Sequence, residues 1–147
     1  MAVSKKDKKL SVISREKINH SAEFQGKHLI LELYGCNSEK LNDELYLRYQ
    51  LNSAAKLAKA SVLNIVSHKF EPYGVTAIAL LAESHLSIHT WPESKYSAID
   101  IFTCGRNMKP NLASQFLIKS LEASNHELKT IIRDYPLLME SQLRQSL

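Results

Sequence analysis

Four residues of this chain have the types and spacing for covalent chemistry. They are Glu83, Ser84, His89 and Cys104, set in Ala82-Glu83-Ser84-His85-Leu86-Ser87-Ile88-His89-Thr90-Trp91-Pro92-Glu93 and Phe102-Thr103-Cys104-Gly105. Ser84 supplies a hydroxyl nucleophile, His89 a base and Cys104 a weak acid. An imidazole suits the middle role because its ordinary pKa is about 6.5. A thiol, ordinarily near about 8.5, stays mostly protonated at neutral pH and can still donate. Taken singly, each residue has a plainer use. A strand serine is a small polar residue, and a strand histidine can be satisfied by a carbonyl. A cysteine is often just a small buried group. The spacing of the whole set is what argues for chemistry.

The surrounding periodicities predict the elements that must hold these groups. Residues 28–34 are short and apolar between Gly26 and Gly35 and read as a strand. From Asn37 or Ser38 a helix is expected to run to about Ala60, with Leu41, Leu45, Leu51, Ala54, Ala55 and Ala58 as its stripe. Residues 62–70 alternate as a strand, and Glu71-Pro72-Tyr73-Gly74 is a turn signal. Residues 75–81 form an apolar strand, and residues 85–90 continue extended, so the Glu83–Ser84 bond is expected between two strand-like pieces. Residues 91–95 read as a loop and 96–104 as a strand. A helix starts near Pro110 with Leu112, Phe116, Leu117 and Leu121 inward. A last strand covers 128–133, and a short helix is expected after Pro136. This order predicts an α+β fold, a two-layer α/β sandwich with a largely antiparallel sheet and helices on one face.

Composition narrows the function classes. With 147 residues, 44% hydrophobic and 23% charged, the chain fits one soluble domain. No apolar run approaches the roughly 20 residues of a membrane span, and no signal-peptide pattern is visible, so a cytoplasmic location is expected. The net charge of +4 resides in residues 1–27, which hold seven Lys or Arg against three acidic residues. The remainder holds twelve of each. Residues 1–26 are therefore expected to be a flexible basic arm on a domain of residues 27–147, with neither a nucleic-acid nor a membrane partner. Cys36 and Cys104 suggest neither a disulfide framework nor a zinc site. His85 and His89 lie on a strand pattern with no third ligand nearby, so no metal is expected.

Together with Gly26-Lys27-His28-Leu29, His68-Lys69-Phe70, Pro72-Tyr73-Gly74-Val75-Thr76 and Asp100 to Gly105, the central stretch resembles the short, prokaryotic-type S-adenosylmethionine decarboxylases. These are proenzymes that cut themselves. The resemblance implies that the Ser84 hydroxyl attacks the Glu83 carbonyl, giving an ester. Elimination with His89 as base would then release residues 1–83. Ser84 would become a pyruvoyl group at the head of residues 84–147, the only cofactor expected. Thr76 matches a hydroxyl position that assists processing. In turnover the pyruvoyl carbonyl would form a Schiff base with the substrate amine, and Cys104 would protonate the carbon that loses carbon dioxide. His85 alternates with Ser84 and is expected to face away from it, in a structural or interface role.

The resemblance further implies a dimer of processed αβ units, with the site near the protomer interface. It makes the chain a carboxy-lyase whose product feeds spermidine synthesis. The substrate's sulfonium and adenine suit aromatic faces, and its ribose diol suits a carboxylate. By position, Phe70, Trp91 and Glu93 are the candidates. Two alternatives remain open at the level of sequence: the same pyruvoyl chemistry on arginine or ornithine, and an uncut, non-enzymatic binding module.

Overall fold

Alternation along six strands decides which side of the sheet is dry. A computed structural model describes residues 25–133. Its strands are β1 (Gly26–Tyr34), β2 (Val62–Lys69), β3 (Val75–Leu81), β4 (Ser84–Trp91), β5 (Tyr96–Cys104) and β6 (Asn125–Arg133). They form one sheet in the order β2-β3-β4-β5-β1-β6, and every neighbouring pair is antiparallel. Leu29, Leu31 and Leu33 of β1 face inward with Ala77 and Ala79 of β3, Leu86 and Ile88 of β4, and Ile99 and Ile101 of β5. Leu47, Leu51, Ala54 and Ala55 of α2 (Glu44–Leu57) and Ala113 and Leu117 of α3 (Pro110–Ser120) complete that core. The helix layer covers the middle of the sheet but does not bury β6, which is exposed along its length. The expected two-layer α+β sandwich is therefore the observed one. No helix of the described residues is long and apolar enough to cross a membrane.

The opposite sheet face carries no helix among the described residues. It presents Thr76, Ile78 and Leu80 of β3, His85, His89 and Trp91 of β4, Asp100 and Phe102 of β5, and His28, Ile30 and Glu32 of β1.

Three local expectations need correction. The single helix expected from about residue 38 to 60 is two helices, α1 (Ser38–Leu41) and α2. Asp43 breaks it by capping α2: its carboxylate accepts the Tyr46 N–H at 2.9 Å. The adjacent Asn42 side chain accepts the Gly74 N–H instead, at 3.1 Å. The restart shifts the helical phase, so Leu45 is 78% exposed and Leu47 takes the buried place. In α3, likewise, Leu112 is exposed while Ala113 and Leu117 are buried. Finally, residues 75–90 are two antiparallel strands folded back at Ala82–Glu83. Residues 1–24 and the tail expected to be helical after Pro136 lie outside the described residues.

Candidate active site

The Ala82–Glu83 turn is pinned by its neighbours. The Ala82 N–H donates to the Ser61 carbonyl at 2.9 Å, and the Ser61 N–H donates to the Glu83 carboxylate at 2.9 Å. The Cys104 N–H donates to the Glu83 carbonyl oxygen at 3.1 Å. The carbonyl that Ser84 would attack is thus already polarised by one backbone donor. Ser84 follows with φ of 156°, at the edge of a backbone region that L residues rarely adopt. Its Oγ lies 3.4 Å from Nδ1 of His85. His85 does sit on the open face, as alternation requires, yet its ring reaches back to the serine it was expected to avoid.

Across the strand, Ser84 pairs with Thr103 of β5. The Thr103 hydroxyl is the one buried side-chain polar atom among the described residues without a hydrogen-bond partner. Leaving such a group unmet costs about 1–3 kcal/mol. It lies one residue from Cys104, whose side chain is half-buried. Cys36 is different: it is buried in the core, and burial pushes its thiol up to about 11. An alkylating reagent at neutral pH is therefore expected to label Cys104 of the folded protein well ahead of Cys36. Peptide mass mapping after brief labelling checks this, and preferential labelling of Cys36 would contradict it.

The structure brings His89 and Thr76 together. They are directly opposed on β4 and β3, with Oγ1 to Nδ1 at 2.9 Å. It does not bring that pair to Ser84 within one chain. Five residues of extended strand separate Ser84 from His89, about 17 Å at the usual rise. The aromatic candidates lie further along the same direction. Trp91 ends β4, and Phe70 follows β2 with its ring edge-on to His68 at 4.6 Å. Glu93 sits in a short 3-10 turn (Pro92–Ser94) beside a cleft of about 440 Å³ that Ser38, Glu39, Asn42 and Tyr73 also line. One end of the sheet therefore holds Glu83, Ser84, Thr103 and Cys104. The far end holds Thr76, His89, Trp91, Phe70 and Glu93.

Sequence reasoning missed the groups that brace this far end. Trp91 packs on Tyr96 at 5.2 Å between ring centres, and Tyr96 stacks on Tyr34 at 5.6 Å. The Tyr96 hydroxyl donates a short hydrogen bond to Glu32. Burial, and then that carboxylate, push the Tyr96 phenol up to about 12. Near Ser84, His28 Nε2 meets Asp100 Oδ1 at 2.8 Å. These pairs are 64 and 72 residues apart in sequence, so only the β1–β5 register could have revealed them.

Comparison with known proteins supports this fold. The family model described as S-adenosylmethionine decarboxylase matches residues 27–134. The chain belongs to the S-adenosylmethionine decarboxylase family. An S-adenosylmethionine decarboxylase proenzyme of Prochlorococcus marinus (strain MIT 9211) is 53% identical over 118 residues, covering 80% of this chain and 97% of the relative. A proenzyme of the same name from Bacillus cereus (strain ATCC 14579), numbered 2, is 44% identical over 108 residues, 74% of this chain and 88% of its own. The crystal structure of the adenosylmethionine decarboxylase from Aquifex aeolicus VF5 superposes with a TM-score of 0.73 at 31% identity. That match covers 80% of this chain and 98% of the other. The family match spans both ends of the sheet, Gly105 and everything else between β1 and β6 included.

Proposed function

We propose that this chain is a self-cutting proenzyme that becomes a pyruvoyl-dependent S-adenosylmethionine decarboxylase. The observation that carries the reading is the Glu83–Ser84 hairpin, in which the Cys104 N–H holds the carbonyl beside a serine hydroxyl. Attack by that hydroxyl puts negative charge on the Glu83 oxygen, and the donor is already in place for it. The shift gives an ester between Glu83 and the Ser84 oxygen. His89 then removes the Ser84 α-proton, Glu83 departs as a carboxylate, and water hydrolyses the remaining dehydroalanine, releasing its nitrogen as ammonia and leaving the pyruvoyl group.

The residues at the turn fit such a group. The unmet Thr103 hydroxyl, paired across from Ser84, is a donor waiting for an acceptor. A new carbonyl at residue 84 would supply one. The pyruvoyl group supplies a covalent electron sink for the bond that loses carbon dioxide. Cys104 holds the proton that returns to the substrate carbon. Phe70 and Trp91 hold the adenine and the sulfonium, and Glu93 accepts hydrogen bonds from the ribose diol. The products are carbon dioxide and decarboxylated S-adenosylmethionine, an aminopropyl donor for spermidine synthesis.

The separation of the two ends gives the dimer a reason. Exposed Val66, Ile78, Leu80 and Trp91 give the open sheet face apolar surface among its histidines and carboxylates. Two copies stacked by these faces, about a two-fold axis running across the strands, set the Ser84 end of one against the His89 end of the other. Each site is then built from both protomers.

Decarboxylation of S-adenosylmethionine, arginine and ornithine side by side tests the substrate. S-adenosylmethionine is expected to be strongly preferred, and preference for either amino acid would overturn the assignment. A charge-assisted hydrogen bond is worth about 1.5–3 kcal/mol. Glu93→Gln should therefore lower kcat/KM for S-adenosylmethionine about 10- to 100-fold.

A further inference from the structure

We propose that His85, not His89, is the base that starts the cut by taking the Ser84 hydroxyl proton. The assignment rests on the self-cutting reading above. In the uncut chain, Nδ1 of His85 lies 3.4 Å from Ser84 Oγ. Nδ1 of the same chain's His89 is instead paired with the Thr76 hydroxyl at 2.9 Å, about 17 Å of strand away, so it is the second copy's His89 that reaches this Ser84. Two proton transfers of different kinds thus have two imidazoles. One leaves an oxygen before the ester exists, and the other leaves a carbon after it.

Aromatic rings of two neighbouring strands position His85 beside Ser84. Its ring meets Phe102 of β5 edge-on, with centres 5.8 Å apart. It also meets His28 of β1 edge-on at 6.5 Å. His28 in turn holds Asp100, the carboxylate diagonal to His85 on the open face. Arg133 of β6 lies over the same Phe102 ring, 4.5 Å from its centre. From β3 the residue opposite His85 is Leu80, which carries no charge.

The step balances without any other reactant. His85 enters neutral, with its hydrogen on Nε2, and accepts the Ser84 Oγ proton at Nδ1. The Oγ–C bond to Glu83 forms, and the Cys104 N–H meets the resulting oxyanion. The C–N bond between Glu83 and Ser84 then breaks, and His85 returns the proton to the freed Ser84 nitrogen. An ester and a neutral amine result.

The test is cutting of the full chain, followed by mass spectrometry with and without hydroxylamine, which cleaves the ester but not the amide. His85→Ala and the polar, base-free His85→Gln are compared with wild type and His89→Ala, folding being matched by circular dichroism. General-base loss costs at least about 100-fold. Both His85 variants should slow by that much and stay resistant to hydroxylamine, and free imidazole should restore cutting of His85→Ala. His89→Ala should stop later, as a hydroxylamine-sensitive ester. Three outcomes overturn the assignment while leaving the function intact. They are wild-type cutting by either folded His85 variant, ester accumulating in either, or a folded His85→Ala chain that imidazole does not rescue. If neither His85 variant folds, imidazole-independent cutting of His85→Asn serves as the overturning result, and its imidazole-dependent cutting as the supporting one. A wild-type chain that never cuts overturns both the assignment and the self-cutting reading.

Discussion

Ser84→Ala is expected to remain one chain of 147 residues where the wild type yields two, residues 1–83 and residues 84–147 headed by pyruvoyl. The substitution removes only the attacking oxygen. Glu83 keeps its bonds to Ser61 and Cys104, since none of them involves the serine side chain. Processing should therefore vanish while the fold persists. The sheet order makes a second part of this result specific. The first product would carry β1, α1, α2, β2 and β3, and the second β4, β5, α3 and β6. In the sheet, β1 lies between β5 and β6, and β3 lies beside β4. Separating the products would break three strand pairings: β3 with β4, β5 with β1, and β1 with β6. The cut wild type should accordingly migrate as one particle in native buffer and resolve into two masses only in denaturant. An intact wild-type chain after long incubation, with no carbonyl-reactive group, would sink the enzyme reading. Two products that part in native buffer would contradict the interleaved sheet.

Much of this was legible locally. Strand alternation in residues 96–104 gave β5 and its faces, and Pro110 marked the first turn of α3. The Ala82–Glu83 turn was not legible, because it has none of the Gly, Pro or Asn residues that announce a hairpin. Its geometry comes from Ser61 and Cys104, 22 residues before and 21 after Glu83 in the chain. The helix break had the same character. Asn42 and Asp43 fit a helix surface until Gly74 and the Tyr46 N–H claim their side chains. The roles of Ser84, His89 and Cys104 rest on resemblance to a family, and their spacing in sequence does not say whether they meet in space. On an extended strand, five residues of spacing mean distance, and this moves the question of the site from one chain to two.

Mixing two inactive chains should restore processing. Ser84→Ala cannot cut itself but keeps His89 and Thr76. His89→Ala keeps Ser84, Glu83 and Cys104 but lacks the base for elimination. If the far end of one protomer serves the Ser84 end of the other, a mixed dimer has one complete site. That site joins Ser84 of the His89→Ala chain to His89 of its partner. Co-expression of the two with different tags should then convert the His89→Ala chains found in mixed dimers. Random pairing of equal amounts into two-fold dimers places about half of all His89→Ala chains in mixed dimers, so about half of all of them should convert. Each variant expressed alone should give almost none, so the expected contrast is large. The readout is the mass of the tagged His89→Ala chain, uncut or ending at residue 83, together with hydroxylamine sensitivity of what remains. No conversion in isolated mixed dimers would mean that His89 acts only within its own chain. The strand carrying it would then have to leave the sheet to bridge about 17 Å. Conversion would mean that a second copy completes the site and closes the distance along β4.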